Sequence, residues 1–293
     1  MNIGYFADGP WSHNAFEKIN KDPQFKILFI VPRKDTNDSK LKEFCNTYGI
    51  DYLPNQSINS ESFLDLLNDY ECDILVSMSF DQIFKKKILN ATKHGVINCH
   101  AGMLPFYRGR NILNWVLIND ESEFGITVHH VDEGIDTGDI IIQKAFPISE
   151  KDNYNSLLKI AFDKCASLLY EGLVLINKKE YNRIPQLDIH ELGFYCGKRI
   201  DGDEQINWND NSRDIHNLIR AVCKPGPEAC FYFENNKYRV SQSRYYKNAI
   251  SYKGIPGQVL FKRDGFLVVK TNDSFIDILI EDSKAIKIGS RLL

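Results

Sequence analysis

Nothing in the 293-residue sequence approaches the roughly 20 consecutive apolar residues that a membrane-spanning helix needs. The first residues, MNIGYFADGPW, lack the basic start and long apolar run of a secretory signal. No two of the seven cysteines (45, 72, 99, 165, 196, 223 and 230) stand in CxxC spacing, and their number is odd. That argues against a disulfide framework and against a zinc site. Reduced, mostly buried thiols in a cytoplasmic protein are expected instead. A basic excess is missing too: 36 Lys and Arg against 39 Asp and Glu give a net charge of −3. An overall nucleic-acid binder normally carries the opposite balance, so neither nucleic acid nor membrane is an expected partner. The segment after the first strand, GYFADGPW, does not fit GxGxxG. No Walker A motif and no GxSxG elbow occurs. Repeats and low-complexity tracts are absent as well.

What is present is a hydrophobic content of 43%, enough for a sizeable core, in a chain long enough for two domains. Short β-like runs alternate with helical patterns through the first half. NIGYF and FKILFIV read as strands, SKLKEFCNTYG as a helix closed by Gly49, and SESFLDLLNDY as another helix. CDILVSMSF is a continuous apolar strand suited to a sheet covered on both faces. Asp81 is placed to cap a helix DQIFKKKILNATKHG ended by Gly95, and VINCH is the next strand. This alternation predicts an α/β fold: a mostly parallel, Rossmann-like sheet with helices on both faces over residues 1–180. A long helix is expected from about Asn153 to Lys178. Residues 181–205 are polar and irregular and read as a linker. Residues 206–293 are β-rich, with turn signals RDG and NDS, and predict a smaller barrel or sandwich that also offers a surface for a homodimer.

Ligands of parallel sheets gather at the carboxyl ends of the strands. There VINCHAGMLPFYRGR places Asn98 and His100 two residues apart, so that they point the same way. Asp136 lies in the loop GIDTG between the runs GITVHHVD and DIIIQKAFPI, flanked by Gly134 and Gly138. A histidine can move a proton near neutral pH, an Asn amide can donate to a developing oxyanion, and a carboxylate can hold an imidazole in one tautomer. On residue types alone a structural reading stands beside the catalytic one: a hydrogen-bonded histidine, a turn-forming asparagine and an aspartate capping backbone amides. Cys99 should face away from its neighbours. His129 and His130, adjacent on a strand, read as a surface/core pair that cannot share a metal.

N-x-H followed by LPFYRGR, ILNWVLIN and GITVHHVDEGIDTGDIIIQ resembles the folate-dependent formyltransferase family, continuously from about residue 72 to 146. INW…IHNLIRAVCKPGPEACFYF is similar to the second domain of its tRNA and sugar branches. RGRNILNW is closer to the nucleotide-sugar N-formyltransferases, above all those acting on dTDP-amino-dideoxyhexoses, than to the methionyl-tRNA formyltransferases. The resemblance implies catalysis by Asn98, His100 and Asp136, with 10-formyltetrahydrofolate as donor, a nucleotide-linked amino sugar as acceptor and no metal. It implies a pteridine slot lined by Met78, Phe80, Ile83, Phe84 and Ile88, closed by Asp132, Gly134 and Ile135. For the acceptor it points to Trp11 and Ser12 at the sugar. Arg108, Arg110, Lys198, Arg199 and Arg220 are candidates for its pyrophosphate, and Tyr107, Tyr195 or Trp208 for its base.

Overall fold

The structure, a computed structural model, describes residues 1–293. The chain divides into two compact units. The first comprises Met1–Gly109, Phe124–Phe146 and Lys159–Tyr195; the second comprises Arg110–Glu123, Pro147–Leu158 and Cys196–Leu293.

In chain order the first unit begins with β1 (Asn2–Ala7), α1 (Gly9–Asn20), β2 (Lys26–Pro32), α2 (Ser39–Tyr48), β3 (Asp51–Tyr52), α3 (Glu61–Asp69) and β4 (Ile74–Met78). It continues with α4 (Lys86–Leu89), β5 (Val96–His100) and β6 (Arg108–Gly109). After α5 (Ile112–Ile118), which belongs to the second unit, come β7 (Glu123–His130) and β8 (Ile140–Pro147). The C-terminal part of α6 (Tyr154–Lys178), α7 (Gln186–Ile189) and the start of β9 (Tyr195–Cys196) complete it.

Seven strands form one sheet in the order β3-β2-β1-β4-β5-β7-β8. The pairings from β3 to β5 are parallel, and β7 joins antiparallel to β5. Strand order reverses between β1 and β4, the position where sheets of this kind open a crevice at their carboxyl ends. The period of two sorts the faces. Phe6, Phe29 and Leu75 pack with Phe63 and Leu67 of α3 and Ile88 of α4 in one buried cluster. Tyr5 turns the other way and donates its hydroxyl to the Ser12 carbonyl of α1, at 2.9 Å. Helices therefore cover both faces, as the unbroken apolar strands require. Local signals act where they stand. Asp38 accepts from the amides of Lys40 and Leu41 at the start of α2, and Gly49 ends it in the left-handed region at φ +67.

Two expectations change. The helix read from Asp81 shrinks to α4, one turn long. Residues 82–85 are tied to an earlier loop: the Asn59 side chain donates to the Ile83 carbonyl and accepts from the Lys85 amide, while the Gln82 side chain accepts from the Ile58 amide and donates to the Gln56 carbonyl. The Asn59 bonds satisfy two backbone groups, the Ile83 carbonyl and the Lys85 amide, that a helix would have used. Likewise, 181–205 is not one free linker. Ile184 bridges to Ile140, α7 begins at Gln186, and residues up to Tyr195 cluster with the first unit. Buried side-chain contacts, invisible as periodicity, hold this stretch.

In the second unit α5 packs with α8 (Ser212–Val222), and the Asn114 side chain donates to the Ala221 carbonyl at 2.6 Å. Its strands are β10 (Ala229–Phe233), β11 (Asn236–Arg244), β12 (Val259–Arg263), β13 (Phe266–Lys270) and β14 (Phe275–Ile280). They form a single antiparallel sheet, β10-β11-β14-β13-β12, rather than two packed sheets. No helix of the chain is long and apolar enough to cross a membrane.

Candidate active site

The strand β5 presents Asn98 and His100 on one face at its carboxyl end. Its antiparallel partner β7 sets His129 opposite Asn98 and Thr127 opposite His100. The loop from 101 to 107 leaves β5 under close control. Thr127 donates its hydroxyl to the Gly102 carbonyl at 2.6 Å, and Gln143 donates to the Leu104 carbonyl at 2.9 Å. A side chain at Gly102 would lie 2.5 Å from His100 Nε2 and 2.6 Å from the Tyr107 oxygen, so glycine lets the loop fold over the imidazole.

His100 is buried, and its Nε2 lies 2.7 Å from the Tyr107 carbonyl. A carbonyl only accepts, so Nε2 carries the hydrogen and Nδ1 is the basic nitrogen of the neutral ring. Nδ1 faces Asp136 Oδ2 at 3.6 Å. The other oxygen, Oδ1, lies 3.6 Å from Nε2 of His129. His129 donates from Nδ1 to the His130 carbonyl at 2.7 Å, and its Nε2 lies 3.3 Å from the Asn98 amide nitrogen. Asn98, His100, His129 and Asp136 thus form one connected group around a single carboxylate.

Charge in this group is set by burial against partners. Burial lowers the His100 pKa below the usual histidine range, and the Asp136 charge and the Tyr107 carbonyl only partly oppose it. Burial alone would raise the Asp136 carboxyl. His100, His129 and the Gly109 amide outweigh it and hold the carboxyl well below the usual range. Asp136 is therefore an anion at neutral pH, and neutral His100 is a base with an anion beside the nitrogen that would take the proton.

The histidine pair corrects the sequence expectation: neither ring is at the surface. His129 is 2% and His130 7% exposed, and His130 Nε2 lies 3.2 Å from the Tyr181 hydroxyl. His129 enters the site because the β5–β7 register puts it opposite Asn98. Its signal in the sequence is the two-residue alternation of GITVHH, but reading it requires knowing which strand β7 pairs with. Gln186 was missed altogether. Its Nε2 donates to the carbonyls of Asp136 and Gly138, both at 2.8 Å. Cys99 turns away, as expected, toward the Cys165 carbonyl of α6.

The expected pteridine slot divides. Met78, Phe84 and Ile88 are at most 5% exposed, and Phe84 and Ile88 fill the core cluster that Phe80 borders. They are packing residues here, because so little of each side chain is left free to line an open slot. Ile83 and Ile135 are exposed. Asp132 shapes its own loop, accepting from the Gly134 amide and the Thr137 hydroxyl. A cleft of about 450 Å³ opens one turn further along, lined by Leu89, His94, Val96, Val131, Asp132 and Arg183 among others. That volume is within the range of ligand pockets.

Of the acceptor candidates in the first unit, Ser12 is fully buried and donates to the Gly9 carbonyl, so it is part of the helix start. Trp11 is half-buried, edge-on to Phe162. Tyr107 is 6% exposed and packs against Phe194, which removes it as a stacking platform. Arg108 is 7% exposed and engages Gln186 and the Leu192 carbonyl, so it is not free to hold a phosphate. Tyr195 is exposed, with the Arg108 guanidinium 5.3 Å from its ring centre.

In the second unit, Trp208 is a core residue packed on Phe231, and Arg220 is buried against Asn217, Asp120 and the carbonyls of Ser149 and Asp152. Both are structural for that reason. Arg110 and Lys198 are both exposed. Arg199 is half-buried, and its Nη2 is buried without a hydrogen-bond partner.

A mostly parallel sheet with a histidine, an amide and a buried carboxylate at its strand ends has the donors and acceptors that group transfer needs. The chain belongs to the formyl transferase family. Residues 5–171 match the formyl transferase domain, and residues 200–288 match the formyl transferase C-terminal domain. The bifunctional polymyxin resistance protein ArnA of Wigglesworthia glossinidia brevipalpis is 34% identical over 242 residues. That match covers 80% of this chain but 36% of the larger protein. The methionyl-tRNA formyltransferase of Syntrophomonas wolfei is 30% identical over 240 residues, 82% of this chain and 75% of that protein. Among solved structures the fold is similar to WlaRD, a sugar 3N-formyl transferase crystallised with dTDP and 5-N-formyl-THF. The TM-score is 0.72 at 24% identity, over 96% of this chain and 98% of that one.

Proposed function

We propose that this protein moves a formyl group from 10-formyltetrahydrofolate to the amine of a nucleotide-linked amino sugar, a dTDP-3- or 4-amino-dideoxyhexose. The observation that carries the reading is His100 Nδ1, the free basic nitrogen, 3.6 Å from the buried Asp136 carboxylate, on the same strand face as the Asn98 amide. The attacking amine must be neutral. As its nitrogen bonds to the formyl carbon, Nδ1 of His100 takes the proton the nitrogen loses. Asp136 stabilises the imidazolium so formed. Asn98 has a second amide hydrogen besides the one directed at His129, and that hydrogen donates to the formyl oxygen as charge develops there. His100 returns its proton to the leaving folate nitrogen, so protons balance. The cleft that contains Leu89, Val96 and Val131 is otherwise polar, and its Asp132 and Glu133 carboxylates suit the ring N–H groups of a pteridine.

The sugar acceptor is supported by the RGRNILNW segment and by the likeness in fold to WlaRD. The curated relative from S. wolfei keeps a methionyl-tRNA acceptor as the second reading. One experiment separates them: mass spectrometry for the gain of one formyl group across a panel of dTDP- and UDP-amino sugars and charged initiator tRNA. Formylation of an amino sugar supports the first reading. Formylation of the tRNA alone overturns it.

A further inference from the structure

We infer that Gln186, oriented by Arg108, is a positioning residue that fixes the Asp136 loop for proton transfer; this rests on the formyl-transfer reading above. Asp136 sits at φ +55, in the left-handed region where an L side chain is strained. Such a conformation persists only where the surroundings over-determine it. Gln186 supplies that restraint. Both hydrogens of its Nε2 are used, one on the Asp136 carbonyl and one on the Gly138 carbonyl. Its Oε1 accepts from Arg108 Nε at 3.0 Å and Nη2 at 2.7 Å. A guanidinium only donates, so the amide has a single orientation: oxygen toward Arg108, nitrogen toward the loop.

The flanking residues act on the same group. Tyr107 accepts from His100, and the Gly109 amide donates to Asp136 Oδ2 at 2.9 Å. Three consecutive residues, 107–109, thereby set the imidazole, the loop backbone and the carboxylate in one frame. Arg108 is buried with amide and carbonyl oxygens as partners, Leu192 providing the second. A buried guanidinium without a carboxylate partner is a costly way merely to fasten a segment.

Gln186→Glu separates positioning from fastening. The carboxylate strengthens the pairing to Arg108 but donates nothing and faces two carbonyl oxygens. Gln186→Met removes both donations and adds no charge. Formyl-transfer kinetics on each should show kcat reduced about tenfold or more, since displacements near 1 Å are known to have effects of that size. KM for donor and acceptor should stay within about twofold. Histidine-resolved NMR titration of Gln186→Met should show His100 titrating at lower pH than in the wild type, because Asp136 no longer stands beside Nδ1. Wild-type kcat in both variants, or an unmoved His100 titration in Gln186→Met, overturns the inference. A wild-type protein that formylates no acceptor sinks the transfer reading instead, and the titration still decides this one.

Discussion

Replacing Asp136 with Asn removes one negative charge and little volume, and it tests the electrostatic core of the site. Asp136 Oδ2 lies 3.6 Å from His100 Nδ1, and the two side chains are 15% and 9% exposed. With the effective dielectric of about 20 that suits such sites, a unit pair at this distance interacts by about 4 to 5 kcal/mol. That interaction exists only once His100 has taken the proton, so its loss falls on the transition state. At 1.36 kcal/mol per decade, the expected fall in kcat/KM is about a thousandfold. The pH profile gives an independent sign. His100 must be neutral to accept a proton, so the acid limb of kcat/KM follows its titration. Burial is the main influence lowering it, the His129 ring lowers it further, and the Asp136 charge and the Tyr107 carbonyl raise it. Deleting the Asp136 charge must move the limb to lower pH. The assay is steady-state formyl transfer from pH 5 to 9, with Tm measured alongside. A variant within about tenfold of wild type, or an acid limb that moves up, would refute a role for Asp136 in holding the imidazolium.

Asn98→Ala should lower kcat about 10²- to 10³-fold with KM little changed, the usual effect of deleting one oxyanion donor, in the same assay. Phe84→Ala should destabilise the fold by about 3 to 5 kcal/mol in denaturant titrations and leave donor KM unaltered, because Phe84 is core rather than a pocket wall. Stability should fall in acid through two histidines. Burial, then Arg183, lowers His130 from 6.5 to about 4, and burial, then Arg220, lowers His216 to about 4. Both are neutral in the fold, so their contribution is complete above about 6.5 and is lost as pH falls toward 4, by about 3 kcal/mol each. Urea midpoints at pH 7 and 4.5 measure the loss, and His216→Gln should remove its share of the pH dependence.

The strand β5 was legible because its chemistry follows from a period of two: Asn98 and His100 on one face, Cys99 on the other. Gly49 and Asp38 likewise act locally, through φ and a side-chain cap. What escaped depends on pairings between distant segments. His129 acquires a role from the register of β7 on β5, which no local pattern encodes. Phe84 and Ile88 read as pocket residues or core with equal ease, since both are apolar after a strand; only packing against Phe6 and Phe63 decides. Arg108 looked like a phosphate ligand because cations after a strand end often are. Its actual partner, Gln186, is 78 residues away in a stretch with no periodicity.

The same group of residues keeps an anion dry beside a base. A lone carboxylate in such a place would protonate, and the site would lose its charge. Here Asp136 Oδ2 is held by the Gly109 amide and faces His100, while Oδ1 faces His129. Its backbone carbonyl is held by an amide whose own oxygen is polarised by a guanidinium. The Gln186 amide therefore ties the loop to Arg108 without forming an ion pair that would neutralise the carboxylate. A direct Arg–Asp pair would bind the anion more tightly but would compete with the imidazolium for it. Holding the cation one amide away leaves Asp136 charged, desolvated and available to His100 at the moment the proton arrives, which is what preorganised electrostatic catalysis requires.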